Sequence, residues 1–368
     1  MDSSRPFKII ISLLLGISVV MVLSASAMSA SKYGSAYFFF YRQLIWVAIG
    51  LVGLLTAYKI DLNYIKKISP YAVLLVVGLL LAVFIPGLGV VRNGARRWIS
   101  FGAVGIQPSE LSKLAMVLGI AWYLSRNKNP LDTFKKVAIA YAGIISLAGI
   151  IILEPDFGTS SLICVVGGLM LFVAGLKYRY FLPVVPLGLV AVYVLIIDSP
   201  YRMARIVAFL NPWEDPKGKG YHIIQSMIAL GQGGLCGTGL GEGRQKLSFL
   251  PEAHTDFILA IIGQELGFVG ILFILGLFVA FSYFGYRLYT RLNDAFSAYF
   301  VFGFITLVTL QAIFNIAVVS GTIPTKGIAL PFVSFGGSGL ITLLIGVGIV
   351  LNIASHPELC DKNINSNS

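Results

Sequence analysis

Two acids and a histidine lie close together in the segment LPEAHTDF, residues 250–257, of a chain that is otherwise strongly apolar. The chain has only three histidines, so one placed beside two acids indicates a site. Asp256 is suited to act as a general base, with His254 or Glu252 to assist or orient it. The alternative is that Asp256 caps the following helix, whose positive dipole end would stabilise the carboxylate. The spacing favours neither interpretation.

A second polar segment interrupts the apolar sequence near the C-terminus, where GTIPTKG (321–327) is followed by LPFVSFGGSG (330–339). Its prolines and glycines disfavour a continuous helix, and non-helical backbone at membrane depth is tolerated where it lines a cavity. Lys326 places a cation in this segment, and Ser334 and Ser338 add hydroxyl groups. We expect the segment to form the wall of a polar site opposite residues 250–256.

Several basic residues fall in two loops on the same side of the predicted spans. They are Arg92, Arg96 and Arg97 beside Trp98 in a short loop, and Arg202 and Arg205 in a long one. The last two are three residues apart and would share a face of a short helix. Guanidinium groups match phosphate geometry, which indicates an anion site. The alternative is that these side chains snorkel to lipid headgroups.

Acids are rare inside membrane spans because burying a carboxylate in hydrocarbon is costly. Glu110 opens one apolar run, where the helix dipole and pairing with Lys113 would account for it. Glu154 and Asp156 flank a proline at a helix break, where capping and a functional role both stay open. Glu265 lies deeper in a run and requires a buried partner that the sequence does not identify.

The elements that position these residues are membrane spans. The chain has 368 residues, of which 57% are hydrophobic and 12% charged, whereas soluble domains have roughly 25% charged residues. Apolar runs long enough to cross a bilayer recur along almost the whole length. We therefore expect an all-α integral membrane protein with about ten transmembrane helices in a single polytopic domain, residues 1–360, followed by a short disordered tail, residues 361–368. The predicted spans cover residues 9–28, 41–58, 69–87, 108–125, 135–153, 157–176, 180–198, 258–285, 296–319 and 335–355.

Lysine and arginine set the orientation, because short cytoplasmic loops are enriched in them. With the N-terminus inside, the short inner loops and ends carry fourteen such residues and the short outer loops six. Both termini are then cytoplasmic, and residues 199–256 form a long extracytoplasmic loop between spans 7 and 8. Within this loop, residues 221–230 are amphipathic enough to lie on the bilayer surface. The glycines from Gly231 to Gly243 suit a flexible lid or a re-entrant turn.

The net charge of +11 is spread over short loops and forms no basic cluster interleaved with aromatic residues. We therefore expect no nucleic-acid binding and favour anionic lipid or a phosphate-bearing substrate as the partner of this charge. The three cysteines, Cys164, Cys236 and Cys360, fall in a span, an outer loop and the tail. No two share a compartment, so neither a disulfide nor a cysteine metal site is expected.

Four long motifs occur in order along the chain: ARRWISFGAVGIQPSELSKLA, EPDFGTS, LPEAHTDFILAIIGQELG and GTIPTKGIALPFVSFGGSG. Together they resemble the SEDS family of bacterial cell-wall proteins (FtsW, RodA, SpoVE). The variants LPEAHTDF and ARRWI are more similar to the FtsW division branch than to the RodA elongation branch. Relatives in this family often have an acid where this chain has Gln264.

The resemblance implies a peptidoglycan glycosyltransferase in the cytoplasmic (inner) membrane of a bacterium, with an extracytoplasmic active site. Its substrate would be lipid II, a disaccharide-pentapeptide on undecaprenyl pyrophosphate, and its product a growing glycan strand. The family's catalytic aspartate matches Asp256, its PTKG lysine matches Lys326, and its Arg-Trp element matches Arg97 and Trp98. The resemblance further implies partners: a class B penicillin-binding protein, a transpeptidase with a single span, and other division or elongation proteins.

This chemistry agrees with the residues themselves. An acceptor hydroxyl must lose a proton, which Asp256 can take, and a departing pyrophosphate requires cations. The candidates for binding the substrate are Arg92, Arg96, Arg97, Trp98, Arg202, Arg205, Glu252, His254, Lys326, Ser334 and Ser338. A divalent cation, Mg²⁺ or Mn²⁺, is a candidate to share the task, but the sequence identifies no ligand set. We expect a single displacement with inversion at the anomeric carbon.

Three other functions use the same features. A lipid II flippase would need the cationic cavity but no general base. A secondary transporter for small anions would show an inverted repeat with matching broken helices, which the sequence lacks. A non-catalytic scaffold would only recruit the transpeptidase.

Overall fold

A computed structural model describes residues 3–31, 34–92, 95–101, 104–243, 245, 250–251, 253–356 and 359. The helices in this part of the chain are α1 Arg5–Ser31, α2 Phe38–Lys59, α3 Leu62–Ala82, α4 Pro108–Ser125, α5 Phe134–Leu153, α6 Phe157–Val173, α7 Tyr178–Phe181, α8 Val184–Ile197, α9 Pro200–Leu210, α10 Tyr221–Gly233, α11 Ile258–Tyr289, α12 Ala295–Val319 and α13 Gly337–Ala354. The strands are β1 Gly89–Arg92, β2 Ala95–Phe101 and β3 Val104–Ile106. The predicted tail and Cys360 lie outside the described residues.

Each of the ten predicted spans coincides with helical structure, which confirms the prediction of a multi-span α-helical membrane protein. In the described residues, eight helical segments are long and apolar enough to cross a bilayer, and α7 and α8 together form one of them. The other two predicted spans are α6, an apolar helix of 17 residues, and α4. Near the start of α4, Glu110 forms an ion pair with Lys113 at 2.7 Å, as the sequence indicated.

The loop between α3 and α4, for which the sequence predicted no strands, forms a three-stranded antiparallel sheet in the order β1-β2-β3. α3 ends at Ala82, so the predicted span 69–87 continues too far. The pairing of β1 with β2 shifts register between Val90, opposite Trp98, and Val91, opposite Arg96. Arg97 is therefore the extra residue of a β-bulge, a feature that re-aims side chains.

The core lies where α4, α12 and α13 meet, and α2, α6 and α11 pack around them. α4 and α12 are buried along most of their length. By contrast, none of the fully described residues of α8 is buried. α10 confirms the helix expected at residues 221–230, but it packs against α11 and buries Ile223 and Ile224. It therefore lies against the protein, and its placement on the bilayer surface stays a prediction.

α11 is broken at Gly267, whose φ of 69° and ψ of −167° are not helical. The break removes intrahelical hydrogen bonds, and the glycine-rich segment 234–239 replaces them. The amides of Phe268 and Val269 donate to the carbonyls of Gly234 and Leu235 at 2.9 and 3.2 Å. The amides of residues 238 and 239 donate to the carbonyls of residues 264 and 265 at 2.9 and 3.0 Å. This docked segment supports the interpretation of a re-entrant turn over that of a flexible lid.

Glu265 lies beside the break and is only 1% exposed. The hydroxyl of Ser24 on α1 donates to its two carboxylate oxygens at 2.8 and 2.7 Å. The backbone amide of Gly241 donates to Oε2 at 3.1 Å. These are partners that the sequence did not identify, and they tie α1 and the glycine-rich segment to α11.

We expect Gly267→Ala to destabilise the protein by about 3 kcal/mol or more, because a Cβ is strained at this positive φ and would collide with the backbone of Leu235 and Gly237. The matched control is Gly276→Ala on the same helix, where a Cβ meets nothing within 4 Å. That substitution is expected to stabilise by up to about 1 kcal/mol. Thermal unfolding of the two variants in detergent makes the comparison. Equal unfolding temperatures would contradict the account of the break.

Candidate functional site

Two polar segments distant in sequence are held together by side chains of α12. Asn315 is fully buried, and its Nδ2 donates to the carbonyl of Asp256 and to the carbonyl of Ile328, each at 2.8 Å. One turn earlier on α12, Gln311 Nε2 donates to the carbonyl of Ala329 at 3.0 Å. The segment that contains Asp256 and the segment that contains Lys326 are thus fixed to the same helix, as expected of the walls of one site.

The carboxylate of Asp256 is half-buried and lies over Gly327. A Cβ built on Gly327 would be 3.1 Å from Oδ2 of Asp256, so the absence of a side chain at this glycine leaves space for the carboxylate. Asp256 therefore lies next to the residue that follows Lys326. Phe257 occupies the N-cap position of α11, so Asp256 precedes the cap. Stabilisation of its carboxylate by the helix dipole stays a prediction.

Two cations converge on the ring of Phe157, the first residue of α6. Lys326 Nζ lies 4.8 Å from the ring centroid, and Arg202 Cζ on α9 lies 5.8 Å from it. A third cation is close, because Arg205 Nη1 donates to the carbonyl of Thr325 at 3.0 Å. Burial lowers the pKa of Lys326 below its usual range. The structure thus brings together three of the predicted cations.

The positive charge of Lys326 and Arg202 is not neutralised by an acid in the described part of the chain, where the ion pairs are Glu110–Lys113 and Asp132–Lys136. Arg202 instead donates through Nη1 to the carbonyl of Leu195, at the end of α8, at 2.7 Å. Uncompensated cations in a partly desolvated position attract an anion strongly, because the effective dielectric constant is low there. This geometry is typical of a phosphate site.

Arg97 on β2 contacts the turn that precedes Phe157, residues 154–156. Its Nε donates to the carbonyl of Glu154 at 2.8 Å, and its Nη2 donates to the carbonyl of Pro155 at 2.6 Å. Arg96 is exposed, and Trp98 is half-buried. Arg92 ends β1, but its side chain lies outside the described residues. In this state Arg97 holds the turn in place with two of its donors.

The two acids of this turn behave differently. Asp156 caps α6, because its carboxylate accepts from the amide of Thr159 at 3.1 Å and from its hydroxyl at 2.9 Å. Glu154 is 0% exposed, and neither carboxylate oxygen has a hydrogen-bond partner among the described residues. Burial and the charge of Asp156 raise the pKa of Glu154 to about 8, against the opposing effect of Arg97. Glu154 is therefore mostly neutral at pH 7.

The remaining predicted site residues make contacts with neighbouring aromatic rings and backbone groups. The His254 ring lies 4.5 Å from Phe39 and 5.6 Å from Phe335, centroid to centroid. Its carbonyl accepts from the amide of Phe335 at 2.9 Å. Ser334 is buried, and its hydroxyl accepts from the amide of Leu330 at 2.8 Å. The hydroxyl of Ser338 accepts from the backbone amide of Gln107, the residue before α4, at 3.3 Å. Glu252 lies outside the described residues.

Sequence reasoning missed Asn315 and Phe157. Asn315 and Gln311 are four residues apart in an apolar helix, so they share a face, and that pattern was the available signal. Phe157 follows the EPD turn directly, but an aromatic residue in an apolar run carries no signal by itself. In the described residues, no group of three or more His, Cys, Asp or Glu side chains is arranged to hold a metal ion. The divalent cation stays a prediction.

Comparisons with known proteins agree with this geometry. The family model for the "Cell cycle protein" family of FtsW, RodA and SpoVE matches residues 5–359. The probable peptidoglycan glycosyltransferase FtsW of Geobacter metallireducens is 43% identical over 343 residues, which are 92% of this chain and 91% of that protein. The stage V sporulation protein E of Bacillus subtilis is 42% identical over 350 residues, 95% of this chain and 96% of that protein.

Solved structures have the same fold. One, described as "Structural coordination of polymerization and crosslinking by a peptidoglycan synthase complex", is similar with a TM-score of 0.76 and 27% identity, covering 94% of this chain and 96% of that one. The rod shape determining protein RodA of Thermus thermophilus has a TM-score of 0.71 at 24% identity, covering 94% of both chains. The motifs, the fold and the extent of these matches confirm the resemblance to SEDS proteins, and the chain belongs to the FtsW, RodA and SpoVE family.

Proposed function

We propose that this chain is a peptidoglycan glycosyltransferase that polymerises lipid II into glycan strands for the cell wall. The observation that carries the proposal is a half-buried carboxylate, Asp256, on a segment that Asn315 fixes to the segment of Lys326. Lys326 shares the ring of Phe157 with Arg202, and neither cation pairs with an acid among the described residues. A base next to an anion site is the arrangement that transfer of a sugar from a pyrophosphate requires. The relatives named FtsW support the division branch.

In the proposed reaction, Asp256 accepts the proton of the acceptor sugar hydroxyl. The hydroxyl oxygen then forms a bond to the anomeric carbon of the donor as the bond from that carbon to the pyrophosphate oxygen breaks. Lys326 and Arg202, with Arg205 nearby, stabilise the negative charge that develops on the pyrophosphate. One displacement without a covalent intermediate inverts the anomeric carbon.

Asn315 contributes by position. Its buried amide fixes the backbone of Asp256 and of Ile328, two residues from Lys326. The distance between base and cations is therefore set before the substrate binds, which reduces the reorganisation needed in the transition state.

The site lies at one end of the helix bundle, which we propose to be the extracytoplasmic end. Here α12 ends at Val319, whereas α11 and α13 begin at Ile258 and Gly337. The excess of basic residues in the other short loops supports cytoplasmic termini. At this boundary the lipid tail of the substrate remains in the bilayer while its sugars and pyrophosphate reach the polar site.

The proposal includes a partner that cross-links the strands, a class B penicillin-binding protein with a single span. It is supported by the similar structure of a peptidoglycan synthase complex that coordinates polymerization and crosslinking. Other division or elongation proteins would assemble with this pair. A divalent cation, Mg²⁺ or Mn²⁺, is proposed to assist at the pyrophosphate, without assigned ligands.

We expect Asp256→Asn to reduce glycan formation from purified lipid II by about 100-fold or more, because the amide keeps the size of the side chain but cannot accept the proton. The measurement is gel analysis of glycan strands made by the purified chain with its transpeptidase partner. The control is Asp132→Asn, which removes an acid paired with Lys136 at the far side of α4. It should retain full activity.

Two outcomes of that assay would redirect the proposal. Equal polymerisation by both variants would remove Asp256 from the centre of the reaction. If folded wild type makes no polymer, lipid II movement across proteoliposomes tests the flippase. Transport that survives Asp256→Asn would favour the flippase, and absence of both activities would favour the scaffold.

We also expect the rate of polymerisation to fall at alkaline pH as Lys326 loses its charge. Burial lowers the pKa of this lysine, so the loss begins below the usual range of lysine titration. Lys326→Arg keeps a charged group to a higher pH and should extend the plateau of the pH–rate profile towards alkali, whatever its maximal rate. Superimposable alkaline limbs would show that Lys326 does not set this dependence.

A further inference from the structure

We infer that Phe157 is a positioning residue that holds Lys326 and Arg202 side by side for a pyrophosphate group, through cation–π contacts. The inference rests on the proposed function, because it assigns the anion to that reaction. The ring belongs to α6, the lysine to the segment between α12 and α13, and the arginine to α9. Three elements thus meet at one aromatic ring.

The distances support two cation–π contacts on this ring. Both charged groups lie within 6 Å of the centroid, at 4.8 Å for Lys326 and 5.8 Å for Arg202, which is the range over which a ring attracts a cation. Two cations this near to one ring repel each other. The attraction of each to the negative face of the ring opposes that repulsion.

An aromatic ring has an advantage over an acid in this position. A carboxylate would also gather the two cations, but it would neutralise them and compete with the incoming anion. The quadrupole of Phe157 attracts them without adding a charge. Both positive charges therefore stay available to a ligand, as the absence of an acid pairing with either one in the described residues indicates.

The ring is itself well positioned. Asp156 caps α6 through both groups of Thr159, so the helix that begins at Phe157 has a fixed start. On the preceding side, Arg97 binds the carbonyls of Glu154 and Pro155. The EPDF turn is therefore held from both directions, which fixes the backbone that carries the ring. Phe157, Lys326 and Arg202 are each half-buried, so a ligand can reach the two cations.

The test is the affinity of the detergent-solubilised full chain for inorganic pyrophosphate, measured by calorimetry. We expect Phe157→Leu to weaken binding about 3- to 30-fold, which corresponds to the loss of one or two cation–π contacts. Phe157→Tyr should restore most of the affinity. With lipid II as substrate, the leucine variant should raise KM more than it lowers kcat.

A fluorinated series separates the ring electrostatics from folding. Replacing Phe157 by mono-, di- and trifluorophenylalanine weakens the ring quadrupole while the shape is nearly kept, so affinity should fall stepwise. The matched control is Phe172→Leu at the other end of α6, where the ring contacts Tyr178 and Phe181 rather than a cation. It should bind pyrophosphate as wild type does.

The inference is overturned if fluorination leaves the affinity unchanged, if Phe157→Leu binds as tightly as wild type, or if folded wild type does not bind pyrophosphate. Its failure differs from failure of the proposed function. If wild type polymerises lipid II but its affinity for pyrophosphate does not depend on the ring, only the role of Phe157 is refuted. If pyrophosphate binding depends on the ring but the chain makes no glycan under any condition, the anion site is retained and the glycosyltransferase function is refuted.

Discussion

A buried amide on α12 joins the two halves of the candidate site. Asn315 donates to the carbonyls of Asp256 and Ile328 and is fully buried. Backbone carbonyls that lie between helices require such donors, since an unsatisfied polar group in a membrane interior is costly. The two hydrogen bonds that satisfy these carbonyls therefore also set the position of Asp256 relative to Lys326. The rest of the site depends on that relative position.

The positive charge of Lys326 and Arg202 is not neutralised by the acids that the structure describes around them. Glu154 is buried and mostly neutral, Asp156 is engaged at the start of α6, and Glu265 is held by Ser24 and Gly241. The two acids that precede Phe157 are thus uncharged or engaged in capping, whereas Lys326 and Arg202 contact the ring of Phe157. A site that keeps its positive charge without an acid partner favours an anionic substrate over an internal ion pair.

The sequence predicted the ten spans because each is a long apolar run, and it predicted that residues 250–256 and Lys326 face each other because both interrupt such runs. It did not predict the sheet at residues 89–106 or the break at Gly267. In the break, the hydrogen bonds come from a segment some thirty residues away in the chain, and no local pattern records that pairing. Phe157 was missed for the same reason, since its role depends on two distant cations.

The most direct measurement is the turnover number for glycan formation by Asn315→Leu beside Asn352→Leu. Asn352 is a matched control, because it is buried and its Nδ2 also bridges two carbonyls, those of Ala57 and Ile60, but away from the site. Both variants should lose similar stability, about 1–3 kcal/mol. The account predicts a kcat about 10- to 100-fold lower for Asn315→Leu alone. Equal kcat values in the two folded variants would contradict it.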